Sequence, residues 1–419
     1  MGGFVGRGFG QTPDLAPMAS LGGYVADRLQ RNISQWLKTF NIHRRVDQIE
    51  MGQGAGAALL AGRWLEASFL ATEWSGDAFL RQRSSGMLDR ILGAQRPGEG
   101  PPFPEMAKAD TQAIAGAMNT AAALWGNGPA AALADRMGGV SPVDRQGLDA
   151  AAVVRLTETE RISAILPELS RVLDRTGDGV WGDAIEGLLW NQILACQSLE
   201  GDGFRAINPF RGATSEFGGE KAGSAGALML AQVPWLYYAA AGDRIWVHQY
   251  GASEVNLRPG GKAARLVQVT SYPDGEDVAL EIRSGSGEFE LRLRIPGWCS
   301  APSMQLNGVP QVIQAERGYA KLRRTWQSGD RIDLHFPMPL RQESELRRGP
   351  LLYYRNGSPL TKVLLQSLRP LPVGGPLGPA YEIRVILEGR PEATALLRPF
   401  ALLGREVPGV EYTTALLMD

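Results

Sequence analysis

The spacing of apolar residues changes near Asp243, and this change most constrains the fold. Before it, apolar residues recur at three- and four-residue steps over 21–37, 57–71, 78–92, 111–126, 160–173, 183–198 and 225–240. Such steps give a helix one continuous apolar face. We therefore predict that residues 1–242 form a helical domain.

After Asp243, apolar and polar residues alternate, as in DVALEIRS (277–284) and EFELRLR (288–294). A period of two is typical of strands with one buried face, and clusters of Gly, Pro and Asp separate the runs. The pattern predicts an antiparallel β-sandwich over 243–340. A β-rich segment over 341–419 is expected to pack on the sandwich or on the helices, which makes the chain a multidomain α+β protein.

The composition excludes several classes of function. The net charge of −1 gives no general attraction to nucleic acid or to an anionic membrane. Two cysteines far apart and three scattered histidines, with no CxxC, HExxH or HxH spacing, predict neither a metal site nor another cofactor. The sequence has no secretory signal pattern and no 18-residue apolar run, so we expect a cytoplasmic protein.

The β region carries the most specific motifs. ELRLRIPGWCSAPSMQLNG (290–308), GYAKLRRTWQSGDRIDLHFPMPLR (318–341) and RRGPLLYY (347–354) resemble the β-sandwich of glycoside hydrolase family 127, which contains β-L-arabinofuranosidases. The helical segments 62–95 and 174–210 are similar to the family's barrel. The resemblance implies a barrel of six helix pairs followed by β-sandwich domains. The helical patterns are too few for twelve helices, so we predict a shortened, incomplete barrel in a divergent member.

The resemblance also implies a mechanism, which this sequence cannot support. The family uses a cysteine thiolate held by zinc, bound through a Glu-Thr-Cys stretch and two adjacent cysteines. Here the stretch matches Glu158-Thr159-Glu160, and the adjacent pair falls near Lys221-Ala222. The family's separate acid/base glutamate corresponds to 140–145, where Asp144 is the nearby carboxylate. Three thiolates are missing, so a thiolate–zinc reaction is excluded.

The remaining matches point to carboxylate chemistry. Glu186 matches a substrate-binding glutamate of the family, and Asn191, Asn208 and Pro209 are also retained. Glycosidases use two carboxyl groups about 5–5.5 Å apart when retaining and about 6.5–9.5 Å apart when inverting. We take Glu158, Glu160 and Glu186 as catalytic candidates, with Glu186 paired to one of the others. The predicted substrate-binding residues are Asn191, Asn208, Lys221 and Trp181.

Structural roles compete with these assignments. Thr157 to Glu160 fits a capping box, in which Thr157 is the N-cap and the Glu160 side chain reaches back to it. A buried carboxylate without its metal is costly, so Glu158 could instead form an ion pair with Lys221. Trp181 could fill the barrel core rather than stack on a sugar.

Three functions remain open at this point. The first is a glycoside hydrolase-like enzyme that uses carboxylates on a terminal furanoside or a related small sugar conjugate. The second is a non-catalytic carbohydrate-binding or assembly protein on a degenerate scaffold, and the third is a scaffold recruited to other biosynthetic chemistry. The expected partners are a small sugar or glycoconjugate, with no nucleic acid, no membrane and a possible homodimer.

Overall fold

The computed structural model describes residues 17–98, 102–103, 106–138, 149–342, 345–357, 361–371, 377–387 and 393–414. Asp144, the acidic residue predicted near the family's acid/base position, lies outside these ranges. Within them, no helix is both long and apolar enough to cross a bilayer.

Helices fill the first half of the chain. The α-helices are α1 (Gly23–Arg31), α2 (Ile42–Glu50), α3 (Ala57–Ser75), α4 (Ala78–Ala94), α5 (Lys108–Trp125), α6 (Gly128–Arg136), α7 (Ala150–Val153), α8 (Thr159–Thr176), α9 (Gly179–Leu188) and α10 (Glu220–Gln232). Helices α1 and α9 continue into π-helical turns at Asn32–Leu37 and Leu189–Ile193. The described residues hold ten α-helices, and the incomplete barrel stays a prediction.

The predicted helical segments correspond to helices, with errors at two ends, since the segment 183–198 runs past the π-helical turn that ends at Ile193. The apolar pattern over 225–240 runs past the end of α10 at Gln232, because Pro234 lacks the N–H that would continue the helix. Residues Tyr238–Ala241 are already a strand. The short helices α2, α6 and α7 were not predicted.

Four helices, α3, α5, α8 and α10, begin at the same end of the domain. The Asp110 carboxylate, in the first turn of α5, accepts a hydrogen bond from Leu59 N at the start of α3 (2.8 Å). Helices α3 and α5 pack unusually closely, since a Cβ on Gly62 would lie 2.4 Å from the Ala113 carbonyl carbon. Arg63 of α3 reaches Glu160 at the start of α8 and the carbonyl of Lys221 in α10.

Three sheets make up the β region of the described chain. A seven-stranded sheet has the order β1 (Ser20–Leu21), β5 (Ser253–Leu257), β6 (Ala264–Thr270), β7 (Asp277–Ser284), β13 (Arg331–His335), β9 (Ser303–Leu306) and β10 (Val309–Gln311). A five-stranded sheet has the order β11 (Ala315–Glu316), β12 (Tyr319–Trp326), β8 (Gly287–Arg294), β4 (Arg244–Val247) and β3 (Tyr238–Ala241). These sheets are antiparallel, as predicted, except that β4 pairs with β8 in parallel.

The third sheet lies in the C-terminal segment. Its order is β14 (Leu340–Gln342), β15 (Leu346–Arg348), β16 (Leu351–Asn356), β19 (Ala393–Pro399), β18 (Tyr381–Leu387) and β17 (Thr361–Pro370). A side branch joins β2 (Arg211–Ala213) to β20 (Glu411–Thr413), which pairs with β16.

Three strands from the helical half, β1, β2 and β3, complete β sheets. Strand β1, near the start of the described chain, pairs with β5, and β2, between α9 and α10, pairs with β20. The predicted boundaries at 242/243 and 340/341 therefore mark changes in sequence pattern. Strands that precede a boundary pair with strands that follow it in the same sheet.

Candidate functional site

Glu158 lies at the start of α8, and a short bridge to the segment 206–208 holds it there. Thr159 N donates to Ala206 O (2.9 Å), and Asn208 N donates to Thr157 O (2.9 Å). The Thr159 hydroxyl is buried and donates to Arg205 O, just before this segment, while the Glu158 side chain is exposed to solvent. The backbone bridge thus fixes the carboxylate at the open end of the helices.

The predicted capping box is wrong. The N-cap of α8 is Glu158 rather than Thr157, and it makes no side-chain cap hydrogen bond. Glu160 turns away from the backbone and forms a salt bridge with Arg63 Nη1 (3.4 Å). Its side chain is 46% exposed, so the carboxylate stays in contact with water.

The predicted ion pair between Glu158 and Lys221 does not form within the described structure, and Arg63 pairs with Glu160. Lys221 is exposed in the first turn of α10. Arg63 Nη1 bonds both Glu160 and the Lys221 carbonyl oxygen, each at 3.4 Å. Burial lowers the pKa of Arg63, and the Glu160 charge acts against that shift. We call Arg63, Glu158, Glu160 and Lys221 the mouth.

Glu66 lies one helical turn beyond Arg63 on α3, inside the mouth. Its Oε1 accepts a hydrogen bond from the Thr120 hydroxyl (3.4 Å). A Cβ added to Gly116 would lie 3.1 Å from its Oε2. Burial raises the pKa of Glu66 to about 7, against the Thr120 hydrogen bond and the charges of Arg171 and Arg63. This carboxyl group therefore exchanges a proton near neutral pH.

Glu66 was not among the residues predicted from the sequence. A signal was present, because Arg63 and Glu66 are the only charged residues between Ala57 and Thr72, in a helix that is apolar on every face. A charge on such a helix faces either a partner or a polar cavity.

The side chains of the mouth do not fit a zinc–thiolate centre. An ammonium group, Lys221, stands where two thiolates are needed, and the guanidinium of Arg63 is bound to the Glu160 carboxylate. Cys196 is buried, bonds to Ile193 O (3.3 Å), and has a pKa raised by burial to about 12. Across the described residues no three His, Cys, Asp or Glu side chains are grouped to hold a metal ion.

Glu186, by contrast, is buried where the helical domain meets the sandwich. Its Oε1 accepts hydrogen bonds from the Tyr272 hydroxyl (2.5 Å) and Arg294 Nη2 (2.7 Å), and its Oε2 from Trp298 Nε1 (3.0 Å) and Arg294 Nη1 (3.5 Å). A carboxylate has about four lone-pair positions. All four lone-pair positions of Glu186 accept hydrogen bonds in this conformation. These contacts favour a role in holding the sandwich against α9 over the predicted catalytic role.

The RIPGW motif supplies most of these donors. Besides its bonds to Glu186, Arg294 Nη1 bonds the Asp183 carboxylate, and Gly297 N donates to Asp183 Oδ2 (3.0 Å). Burial lowers the pKa of Arg294, but the charges of Glu186 and Asp183 outweigh it and leave the pKa well above its usual range. The motif thus clamps the sandwich onto one face of α9.

Glu158 and Glu186 do not form a glycosidase pair. Helices α8 and α9 run antiparallel through a two-residue turn, with Glu158 at the far end of α8 and Glu186 partway back along α9. A rise of about 1.5 Å per residue separates their backbones by roughly 16 Å along the helix axis, well beyond the spacing of a catalytic pair.

The other predicted ligand residues are divided between structure and surface. Asn191 is buried and links the helices to the third sheet, donating to Pro350 O (2.9 Å) and accepting from Leu352 N (2.9 Å). Asn208 is buried behind the bridge that holds Glu158. Trp181 is half-buried and packs against the core. The mouth therefore holds Glu158, Glu160 and Lys221 from the predicted set together with Arg63, and Glu66 lies one turn further along α3.

Comparison with known proteins agrees with the resemblance seen in the motifs. Residues 244–338 match the family model of the "Beta-L-arabinofuranosidase, GH127 middle domain". A solved GH127 β-arabinofuranosidase is similar, with a TM-score of 0.77 and 15% identity, over 97% of this chain and 98% of that one. A GH127 β-L-arabinofuranosidase from Geobacillus stearothermophilus T6 gives a TM-score of 0.76 and 16% identity, over 96% and 100% of the two chains.

A third solved structure, described as a glycoside hydrolase, gives a TM-score of 0.74 at 16% identity over 99% and 100% of the two chains. Among curated proteins no match is found. At these identities the structural likenesses establish the fold, which is the one predicted from the sequence.

Proposed function

We propose that this protein is a glycoside hydrolase acting on a terminal furanoside or a related small sugar conjugate. Its middle domain matches GH127, and its fold is that of GH127 β-arabinofuranosidases. The reaction takes place in the mouth and depends on carboxyl groups. The observation that carries the proposal is the Glu66 carboxyl group, which lies inside the mouth with a pKa raised to about 7.

Glu66 has the properties of a general acid. A catalytic acid works best when its pKa is close to the working pH, and glycosidases raise the pKa of one carboxyl group by burying it. Glu66 lies between α3 and α5, and Gly116 lets its carboxylate approach α5 closely, since a Cβ there would be 3.1 Å from Oε2. It would protonate the leaving oxygen of the glycoside.

Glu160 supplies the second carboxylate. It is solvent-exposed and held by Arg63, one turn from Glu66 along α3, so the arginine lies between the acid and the ionised group. Glu158 is exposed beside it, and the first turn of α8 favours negative charge at both positions. The carboxylates would stabilise the positive charge that develops on the sugar ring or activate a water molecule.

Turnover of aryl glycosides tests the proposal. The chain should hydrolyse a 4-nitrophenyl furanoside, for which the α- and β-L-arabinofuranosides and a pyranoside set provide the panel. Glu66→Gln should lower kcat/KM by about a hundredfold or more, since general acid catalysis contributes about 10²–10⁴-fold. In wild type, kcat/KM should fall as pH rises above about 7, because the acid loses its proton.

Glu216→Gln is the matched control, since Glu216 is exposed and outside the mouth, and it should leave kcat/KM unchanged. Turnover that survives in Glu66→Gln with an unaltered pH profile would remove Glu66 from the mechanism.

A non-catalytic carbohydrate-binding function is the second candidate. It is favoured by the occupied lone pairs of Glu186, which leave this family-matched residue no capacity to bind a substrate. Sugar binding at the mouth without turnover of any furanoside or pyranoside in the panel would select it. The cytoplasmic location, the sugar or glycoconjugate partner and the homodimer remain predictions.

A further inference from the structure

A cavity of about 280 Å³ lies where the start of α1 meets the first sheet. Its walls come from the first turn of α1, the π-helical turn after α9, the segment after α10, and the turn that follows β6. None of the mouth residues lines it. Its volume is near the lower end of small-molecule sites, which span about 300–1,000 Å³.

The start of α1 leaves backbone donors facing this cavity. The N-cap residue Gly22 makes no side-chain cap hydrogen bond, and the first turn contains no acidic residue. Gly22 N donates to Ala252 O (2.7 Å), but the next N–H groups, at Gly23, Tyr24 and Val25, have no acceptor within the described structure. Such a helix end attracts an anion.

Two buried aromatic side chains independently point to a ligand. Tyr237 is 1% exposed and Trp190 is 2% exposed, and both line the cavity. In the described part of the chain neither the Tyr237 hydroxyl nor the Trp190 indole N–H has a hydrogen-bond partner. The Tyr237 hydroxyl lies 3.0 Å from where a Gly251 Cβ would be, so the glycine leaves it open to the cavity. Buried polar groups normally have a partner.

Positive charge lies on the α1 side of the cavity, and negative charge lies behind the opposite wall, where the Glu186 carboxylate accepts a hydrogen bond from Tyr272 and adds to burial in raising the pKa of Tyr237. The Arg28 guanidinium lies 6.0 Å from the centre of the Tyr24 ring, and Arg28 and Arg405 both act to lower the pKa of Tyr24 against burial, which raises it. One acidic side chain, Asp274, lines the cavity from the turn after β6, and it is exposed to solvent. The ligand's carboxylate is therefore placed at α1 and its hydroxyl groups towards Asp274.

We infer that this cavity binds a single sugar-acid ring, with the carboxylate on the first turn of α1 and the ring against Tyr237 and Trp190. The two aromatic faces suit the C–H face of a pyranose or furanose, and their O–H and N–H groups suit its oxygens. Ser271 and Thr270 add hydroxyl groups at the entrance. The site is separate from the mouth, and the inference does not depend on the proposed hydrolysis.

Calorimetry and tryptophan fluorescence on the full chain, with D-glucuronate as the probe, test the inference. D-Glucuronate should bind and change the fluorescence, and D-glucose should bind about tenfold more weakly, because it lacks the charge that the helix end stabilises. Acetate, which has the charge without the ring, should not compete at equal concentration.

Tyr237→Phe is the informative variant, since it removes only an unpartnered hydroxyl and should leave the fold intact. It should weaken glucuronate binding about fivefold or more, as expected for loss of one hydrogen bond. Glu66→Gln, in the mouth, should bind glucuronate like wild type. Equal affinity for glucose and glucuronate, unchanged affinity in Tyr237→Phe, or no binding of glucuronate at millimolar concentration would each overturn the inference. Loss of furanoside turnover in Glu66→Gln, with glucuronate binding retained, would separate the two sites.

Discussion

The mouth and the contact between α9 and the sandwich differ in how they hold their carboxylates. At α9, Glu186 and Asp183 are held by Arg294, Trp298 and the backbone of Gly297, in a contact closed to solvent at Glu186 and Arg294. At the mouth, Glu160 has one long contact to Arg63 and remains half exposed, and Glu158 makes no side-chain cap bond.

This difference separates residues whose contacts maintain the fold from residues whose side chains remain accessible to a substrate. The sequence motif most similar to GH127, RIPGW, is used to dock two domains. Glu160 and Lys221, where the sequence resemblance led us to expect cysteines, lie on an accessible surface. A resemblance carried by docking residues therefore identifies the fold far better than the reaction.

The largest expected effect comes from breaking the Arg294 cluster. Arg294→Met should destabilise the protein by about 3–5 kcal/mol, because it leaves two carboxylates near a buried contact without their cation. Arg63→Met is the matched change at the mouth, where one partner is exposed, and it should cost about 1 kcal/mol or less. Urea unfolding of both variants measures the difference, and similar costs would contradict the contrast between the two regions.

Glu66→Gln should have an intermediate effect that depends on pH. The folded-state pKa of Glu66 is raised from 4.5 to about 7, so the folded chain holds this proton more tightly than the unfolded one. The stabilising contribution is full below about pH 4.5 and is lost as pH rises through about 7. Wild type should therefore lose up to about 3 kcal/mol relative to Glu66→Gln between pH 4.5 and pH 9.

Thermal unfolding of wild type and Glu66→Gln across that pH range provides the measurement. Glu216→Gln, at an exposed position, should follow wild type at every pH. A constant difference between wild type and Glu66→Gln would show that the carboxyl group titrates normally and would weaken its assignment as the acid.

Much of the fold could be predicted from the sequence. The long helix α8 has clear three- and four-residue periodicity, α3 is a long run of mostly apolar residues, and β7 and β8 have clear alternation. Nine-residue helices such as α2 and α6 offer too few turns for the same signal. The end of α10 was missed because the apolar pattern continues through Pro234 into a strand.

The site was less predictable, because its contacts join residues far apart in the chain. Arg63 and Glu160 are 97 residues apart, and the donors to Glu186 lie 86 to 112 residues after it. Family spacing placed Glu158 and Glu160 at a helix start, which the structure agrees with. The spacing of the family motifs carries no information on how many hydrogen bonds a carboxylate accepts. That number separates Glu186, which accepts four, from Glu66, which accepts one from Thr120.

The smallest expected effect is at Glu160. Glu160→Gln removes an ion pair whose carboxylate is 46% exposed, so the free energy of unfolding should fall by about 0.5 kcal/mol and less at high salt. Its effect on furanoside turnover should be much larger, because the lost charge is the one proposed to face the sugar. A cost above about 2 kcal/mol in urea unfolding would instead make Glu160 a structural residue like Glu186, and the mouth would lose its second carboxylate.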